Sequence, residues 1–233
     1  MSDIQQLNSH ERIAHWLDRP GAASDLSSYF RDADPTQGYT GRYFELVGGG
    51  GDQPEHANVV TADDLIAVEM LSVTIPPRVA ADLLLGSKGS ELNALLAQIP
   101  AAVSLTDEDA GPHIAEGSAT WQAWDLLIAG RKTGMGTAKV SKLLARKRPQ
   151  LVPVYDGVVK CAVGEPTNWW ECLHTLLIDA SRDVGTTIER LRKQGSVPTY
   201  VSDLRIVDVA IWMGHEQAHL AQQCKFPPEP LSS

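Results

Sequence analysis

Two glycines, Gly134 and Gly136, stand between two segments with helical patterns. Glycine lets the backbone turn tightly and approach a ligand closely. The helix that follows presents unpaired N–H groups and the positive end of its dipole, which together favour phosphate. Lys139, Lys142 and Arg146 then recur at spacings of three and four, which predicts a basic face on that helix. The pattern indicates sequence-independent contacts with nucleic-acid phosphates, and the alternative is a solvated basic helix after an ordinary turn.

An aspartate, Asp156, follows the second glycine by 20 residues. It comes after a connector bracketed by Pro149 and Pro153, at the predicted start of a helix. A carboxylate at that position accepts hydrogen bonds from the first N–H groups of the helix. An N-cap of this kind requires no catalysis, so the residues alone leave open whether Asp156 has a second role.

The segment from about residue 118 to 163 resembles the helix-hairpin-helix DNA glycosylase superfamily. In that family a G-x-G hairpin, a helix and a connector precede an apolar-D-x-x-V segment, which Gly134-x-Gly136 and Asp156-Gly157-Val158-Val159 match. The resemblance implies that catalytic Asp156 stabilises positive charge on the sugar or orients the attacking water, with the target base flipped into an aromatic pocket. It also implies a set of DNA-binding residues: Gly134, Met135, Gly136, Thr137, Lys139 and Lys142.

The chain departs from the bifunctional members of that family at Ala138. Those members carry a lysine two residues after the second hairpin glycine, so the resemblance implies a monofunctional enzyme without a Schiff-base step. The iron–sulfur cysteines of some members are absent, and no cofactor is implied. The rest of the chain resembles an uncharacterised actinobacterial protein family, which implies no function.

Aromatic residues for the base pocket are expected from two places. Tyr43 lies in a segment without clear helical amphipathicity, next to Phe44 and near Tyr39. Trp169 and Trp170 are adjacent, so on a helix they point in different directions. We predict Tyr43, Trp169 and Trp170 as pocket residues, and packing in the core is the alternative for all three.

The string His215-Glu216-Gln217-Ala218-His219 matches the zincin pattern H-E-x-x-H. Two histidines four residues apart can share one zinc ion, with the glutamate as general base. Few residues follow the string, so a third ligand would have to come from elsewhere in the chain. A zinc-dependent hydrolase using His215, Glu216 and His219 is therefore an alternative, and we predict no metal for the preferred function.

Two other groups are predicted to be structural. Four consecutive glycines at 48–51 precede Asp52 but lack the P-loop pattern, which indicates a mobile loop. Asp208 lies in a strongly apolar helix, and a buried aspartate needs a partner. Arg205 precedes it by three residues and is the predicted partner.

The charge of the chain is unevenly distributed. The formal net charge is -9, with 20 Lys and Arg against 29 Asp and Glu, which argues against generic binding to nucleic acid or to an anionic membrane. Residues 126–155 nevertheless contain seven Lys and Arg and no Asp or Glu. The protein is thus predicted to be acidic with one basic patch, which favours a small footprint on DNA.

The sequence also restricts the compartment. No run of 18 apolar residues and no secretory signal is visible. Cys161, Cys172 and Cys224 are scattered, and an odd number without CxxC spacing argues against a disulfide framework, a zinc site or an iron–sulfur cluster. We expect three thiols in a reducing cytoplasm, with no membrane partner.

Helical patterns and helix stop signals dominate the chain, so the predicted fold is mainly α: a helical bundle with a helix-hairpin-helix element and an irregular N-terminal lobe. We predict an N-terminal helix and irregular lobe over 1–60, a helical domain over 61–224 with the hairpin element at about 118–148, and a flexible tail over 225–233. The predicted N-caps are Thr61, Ser118, Asp156, Thr167 and Ser202.

These patterns predict a DNA-binding helix-hairpin-helix protein. Its enzymatic form would be a monofunctional base-excision DNA glycosylase, which hydrolyses an N-glycosidic bond. The alternatives are a non-enzymatic DNA- or nucleotide-binding module and the zinc-dependent hydrolase.

Overall fold

The computed structural model describes residues 7–31 and 37–221, and all regular structure in these ranges is helical, which confirms the mainly α prediction. The predicted tail over 225–233 lies outside the described residues. The α-helices are α1 (Ser9–Asp18), α2 (Ala22–Phe30), α3 (Ala62–Met70), α4 (Pro77–Leu85), α5 (Ser87–Leu96), α6 (Gly111–Ile114), α7 (Ala119–Ile128), α8 (Thr137–Lys147), α9 (Gly157–Val163), α10 (Trp169–Ile178), α11 (Val184–Gln194) and α12 (Asp203–Leu220). Short 3-10 helices cover Thr40–Tyr43, Val47–Gly49, Glu108–Ala110 and Ala129–Thr133.

Side-chain caps fix where several of these helices begin. Thr61 forms a capping box with the residue three positions on, and Ser118 and Ser202 each accept a hydrogen bond from a first-turn N–H group. The prediction of Thr167 as a cap is wrong, because the adjacent Asn168 accepts from the first N–H groups of α10 instead. A cap satisfies donors that have no partner within the helix.

One hydrophobic core joins the helices, and α12 contributes to it along most of its length. The core extends from Ile13 in α1 to Ile211 in α12, so residues before 60 share it with the rest of the chain. Helix α12 packs against α1, α2 and α9, and α8 packs against α3 and α7. Within residues 7–31 and 37–221, no helix has the length and apolarity needed to cross a membrane.

The basic residues at the end of α8 are buried. The Nε atom of Arg146 lies 3.1 Å from Oδ1 of Asp64, and Nζ of Lys147 lies 2.9 Å from Oδ2 of the same carboxylate. Lys147 also donates to the carbonyl oxygens of His56 and Val59 at 2.8 and 2.9 Å. The prediction that Arg146 belongs to an accessible basic face is therefore wrong, because Arg146 and Lys147 join α8 to α3 and to the segment between α2 and α3.

Arg148 extends the same cluster. Its guanidinium donates to the carbonyl oxygens of Ile99 and Ala57 at 2.9 and 2.7 Å, and to Oδ1 of Asn58 at 2.7 Å. Burial lowers the pKa of Arg148 and of Lys147 from their usual values. Buried charges of this kind are tolerated because hydrogen bonds satisfy them.

Candidate functional site

The turn between α7 and α8 has the geometry that its glycines permit. Gly134 has φ 91°, in the left-handed region that favours glycine. Met135 is fully buried and anchors the turn in the core. Gly136 is the N-cap of α8 and offers no side-chain cap. Among the described residues, no heavy atom outside the local backbone lies within 4 Å of the point that a Cβ on Gly136 would occupy, so the space over the start of α8 is open.

The predicted DNA-binding lysines have different surroundings. Lys139 is half-buried, and its Nζ donates to the carbonyl oxygen of Gly134 at 2.8 Å. Lys142 is only 5 % exposed, and its Nζ donates to the carbonyl oxygen of Leu71 at 2.9 Å. Lys142 therefore does not join a solvent-facing basic face, contrary to the prediction. Exposed positive charge beside the turn comes from Arg131 and Lys132.

Asp156 is the N-cap of α9, as predicted, and has a second contact. Its Oδ1 accepts from the N–H groups of Val158 and Val159 at 3.0 and 3.1 Å. Its Oδ2 lies 3.2 Å from Nζ of Lys142. The side chain is 11 % exposed. The cap and the ion pair fix the orientation of the carboxylate.

Asp156 lies at a cavity of about 280 Å³ between α2, α3, α8, α9 and α12. Polar groups and aromatic rings share its walls. The charged side chains and the imidazole that line it belong to Lys142, Asp156, Arg205, Asp208 and His219. Its aromatic lining residues, called the aromatic wall below, are Tyr29, Tyr39 and Trp212. A mostly apolar cavity with a few convergent polar groups is the usual form of a small-molecule or base-binding site.

The aromatic wall is built by mutual packing of its three rings. Tyr29 and Tyr39 are stacked, with centroids 5.1 Å apart and planes at 17°. Trp212 meets Tyr39 edge-on, with centroids 5.9 Å apart. Tyr39 and Trp212 are only partly buried, so part of each side chain remains accessible. Rings placed in this way can stack against a planar ligand.

A second carboxylate, Asp208, also lines this cavity. It is paired with Arg205, as predicted, and is 3 % exposed. Arg205 also contacts Glu45, with Nε 3.1 Å from Oε1, and donates to the hydroxyl oxygen of Tyr29 at 2.6 Å. Burial raises the pKa of Asp208 to about 6, against the opposing effect of Arg205 and with a smaller contribution from the Asp156 charge. The network connects Tyr29 on α2 to Arg205 and Asp208 on α12.

The two histidines of the H-E-x-x-H string have different surroundings. His215 is buried, with Nε2 2.9 Å from Sγ of Cys161 and its ring edge-on to Trp16. His219 lines the cavity. The described ranges contain no group of three or more His, Cys, Asp or Glu positioned to hold a metal ion. Cys161 is disulfide-bonded, so the expectation of three thiols is wrong at that residue.

The aromatic residues predicted for the pocket lie elsewhere. Tyr43 accepts a hydrogen bond from Arg42 at 2.6 Å, and the guanidinium of Arg42 lies over the Tyr43 ring. Trp169 and Trp170 are buried at the start of α10 and line a separate cavity of about 210 Å³. Trp169 stacks on Tyr155, with ring centroids 5.0 Å apart. The cavity at Asp156 is therefore lined by none of the three predicted residues, Tyr43, Trp169 and Trp170.

The glycines at 48–51 contact the buried basic cluster. Arg146 donates to the carbonyl oxygen of Val47, just before them. A Cβ on Gly51 would lie 2.4 Å from the carbonyl oxygen of Arg146, so that residue must be glycine for the loop to pack against α8. Specific contacts therefore fix the position of this loop, which the sequence analysis predicted to be mobile.

Sequence reasoning missed the role of Trp212. Asp208, Trp212 and His219 are spaced by four and seven residues on α12, which places them on one face of a helix. Many of the neighbouring residues on the helix are aliphatic, so the sequence pattern predicts that this face lies in the hydrophobic core. The polar residues at positions 208 and 219 were the signal that the face borders a cavity.

Comparison with known proteins gives the family but no activity. No curated protein and no solved structure matches the chain. A family model described as "Family of unknown function (DUF6308)" matches residues 22–215. The match includes Asp156, Lys142, Asp208 and the aromatic wall, and it ends four residues before His219. The chain therefore belongs to the family of unknown function DUF6308.

Proposed function

We propose that the protein binds DNA at the Gly134–Gly136 turn and hydrolyses an N-glycosidic bond in the cavity beside it, as a monofunctional base-excision glycosylase. The observation that supports the proposal most directly is that the Asp156 carboxylate has a fixed orientation and lines a cavity that also has aromatic side chains in its wall. The resemblance of residues 118–163 to helix-hairpin-helix glycosylases agrees with this placement.

Asp156 fits the electrostatic part of such a reaction. As the bond between C1′ and the base nitrogen breaks, positive charge develops on the sugar. A preorganised carboxylate stabilises that charge without reorganising during the reaction. Lys142 and the N–H groups of Val158 and Val159 fix the orientation of Asp156 before substrate arrives.

The aromatic wall fits the base. A base removed from its duplex loses its stacking partners, and enzymes that act on flipped bases replace them with aromatic side chains. Tyr39 and Trp212 are partly exposed on the cavity wall and present ring surfaces for this purpose. Both rings pack against the hydrophobic core, so little ordering is needed when a base enters.

The turn supplies the phosphate contacts. The open space over Gly136 and the uncapped first turn of α8 favour a phosphate oxygen. Ala138, in the same turn of the helix, lines the cavity. A phosphate at the start of α8 would therefore lie close to a base in the cavity. Exposed Arg131 and Lys132 and half-buried Lys139 add positive charge near the turn.

The test of DNA binding is a fluorescence-anisotropy titration with duplex DNA, with and without an abasic-site analogue, at two salt concentrations. We expect salt-sensitive binding with preference for the analogue. Lys132→Glu/Lys139→Glu should weaken binding and make the plot of log K against log [salt] shallower by about 2, one per lost phosphate contact. Arg190→Glu/Lys193→Glu on α11 is the matched control, because it changes the net charge equally.

The test of chemistry is the release of bases from oligonucleotides that each contain one damaged or non-standard base, followed by cleavage of the abasic product with alkali. We expect release by the wild-type protein and loss of release in Asp156→Asn. Salt-sensitive binding without release from any of these oligonucleotides would favour the non-enzymatic DNA-binding module. Absence of binding at low salt would reject both functions.

A further inference from the structure

The second cavity, of about 210 Å³, is rich in aromatic side chains and has no part in the function proposed above. Its aromatic lining residues are Trp121 and Trp124 on α7, Tyr155 before α9, and Trp169 and Trp170 at the start of α10. They include four of the six tryptophans of the chain. We call this space the tryptophan cavity and the larger one the Asp156 cavity.

The rings of the tryptophan cavity support one another and remain partly accessible. Trp121 and Trp124 each meet Trp170 edge-on, with ring centroids 5.4 and 5.7 Å apart. Trp170 is buried, whereas Trp121 and Trp124 are only partly buried, so part of each of these two side chains remains accessible. Aromatic side chains held in this way can stack against a planar ligand.

The lining of the tryptophan cavity carries no charge. The other described residues that line it are Thr137, Pro166, Thr167 and Asn168. A cation would therefore meet no carboxylate in this lining, and an anion would meet no basic side chain. Burying a charged group without a partner is unfavourable. The cavity therefore fits a neutral, planar group.

The indole N–H of Trp169 adds a polar requirement. Trp169 is 7 % exposed, and within the described ranges no group accepts a hydrogen bond from its buried Nε1. A buried donor without an acceptor is unfavourable. A planar ligand that carries acceptors at its edge is therefore favoured over a purely apolar one. Nucleobases combine a planar ring with carbonyl oxygens or ring nitrogens at the edge.

The tryptophan cavity and the Asp156 cavity share a wall. Thr137 lines the tryptophan cavity, and the next residue, Ala138, lines the Asp156 cavity. Tyr155 and Asp156, which are also consecutive, are divided between the two cavities in the same way. The first turn of α8 and the connector before α9 therefore separate the cavities. Gly136, at the proposed phosphate site, directly precedes this wall.

We infer that the tryptophan cavity binds a second nucleobase, from the nucleotide next to the one in the Asp156 cavity. This inference rests on the proposed function. One phosphate joins successive nucleosides in a strand, so a phosphate at the start of α8 has one base on each side of it. Each of these two bases then has a cavity beside it. The second base undergoes no reaction, and aromatic side chains replace the stacking that it loses.

The experiment measures whether Trp124 and the neighbouring base contribute to DNA affinity together. The duplexes carry an abasic-site analogue at the centre and a second analogue at the 5′ neighbour, at the 3′ neighbour or at a distant position on the same strand. Anisotropy gives the affinity of each duplex. For the wild type, a second analogue at one of the two neighbouring positions should weaken binding by about 10-fold, the loss of one stacked base. The distant analogue should have little effect.

A substitution in the tryptophan cavity should remove this dependence on the neighbouring base. Trp124→Leu should bind the duplex with the central analogue alone about 10-fold more weakly than the wild type. Loss of the neighbouring base should then cost Trp124→Leu little more, because the stacking partner is already missing. Such non-additivity identifies two groups that contact each other.

Two further variants separate base binding from folding. Trp121→Leu removes the other partly buried ring of α7 and should show the same non-additivity, so the test does not depend on one variant. Gln122→Ala, at an exposed position on the same helix, is the matched control and should respond to the neighbouring base as the wild type does. Far-ultraviolet circular dichroism checks that each variant is folded.

The inference is overturned if the loss of a neighbouring base costs the wild type and both leucine variants equally. It is also overturned if that loss costs the wild type no more than loss of the distant base. Either result retains the proposed function as long as binding is salt-sensitive and prefers the central analogue. If the wild type does not bind DNA at low salt, the proposed function fails and this inference fails with it.

Discussion

The ammonium of Lys142 and the carboxylate of Asp156 lie 3.2 Å apart on the wall of one cavity, although the two residues come from different helices. Their side chains are 6 % and 11 % exposed. The pair joins the helix that follows the glycine turn to the helix that Asp156 caps. It therefore connects the proposed phosphate site to the proposed reaction site.

We expect Lys142→Met to destabilise the fold by about 3–5 kcal/mol, the usual cost of leaving one partner of a buried ion pair without the other. Urea unfolding followed by far-ultraviolet circular dichroism measures the change. Lys139→Met on the same helix is the control and should cost less than about 1 kcal/mol, because Lys139 is only half-buried. Equal costs for the two variants would show that the Lys142–Asp156 contact adds no stability.

Asp156 is the N-cap of α9 and the proposed charged group of the reaction, and substitutions can separate these two roles. Asn is as good an N-cap as Asp, whereas Ala removes the cap at a cost of about 0.5–2 kcal/mol. We expect both Asp156→Asn and Asp156→Ala to lose base release, with the larger loss of stability in Asp156→Ala. Thermal unfolding and release assays on the same preparations check this. Full activity in Asp156→Asn would reject a role for the carboxylate charge.

The raised pKa of Asp208 predicts a pH dependence of stability. Its value is about 6 in the folded protein, against an ordinary 3.8. At a pH between these two values, Asp208 keeps a proton in the folded protein that it has lost in the unfolded chain. Its contribution to the free energy of unfolding therefore falls as pH rises. The slope is at most about 1.4 kcal/mol per pH unit, the limit for one proton.

The measurement is the difference in unfolding free energy between the wild type and Asp208→Asn from pH 4 to pH 7. We expect the difference to shrink as pH rises, because asparagine does not titrate. A difference that grows with pH would mean that Arg205 outweighs burial and keeps Asp208 charged in the fold.

Asp64 should be among the most sensitive positions in the chain. It is the carboxylate shared by Arg146 and Lys147 in the core. We expect Asp64→Asn to cost about 3–5 kcal/mol, because two buried cations would lose their counter-charge. Asp63→Asn, one residue earlier and exposed, is the matched control and should be nearly neutral. Chemical denaturation of the two variants measures their free energies of unfolding and tests this difference.

Met135 should control the shape of the glycine turn. Its side chain is fully buried, so Met135→Ala should cost about 2–5 kcal/mol through the cavity it leaves. Met135→Leu conserves volume and should cost less than about 1.5 kcal/mol. DNA affinity measured by anisotropy should fall only for the alanine variant, since only that variant loosens the turn. Equal DNA affinities of the two variants would show that the shape of the turn does not affect DNA binding.

Local patterns in the sequence were enough to predict much of the framework. The caps at Thr61, Ser118, Asp156 and Ser202 depend on contacts within a few residues, and so does the Arg205–Asp208 pair. Each of these was visible in the order of residues alone. Their success reflects the short range of the interactions involved.

The predictions that failed depended on distant partners. Arg146 was predicted on a basic face because Asp64, 82 residues earlier, gave no local sign of pairing with it. Tyr29 and Trp212 meet only after α2 and α12 have packed. Periodicity identifies a face, but it does not identify what that face contacts.

The buried cations at the end of α8 bind the segment between α2 and α3 mainly through its main-chain oxygens, among them the carbonyls of Val47, His56, Ala57 and Val59. Every residue type carries that oxygen, so the contacts are indifferent to most side chains in the segment. Related chains can therefore diverge at its exposed positions while retaining the same backbone path. We expect evolutionary drift at those positions, and we expect it to spare Tyr39, Gly51 and the three cations Arg146, Lys147 and Arg148.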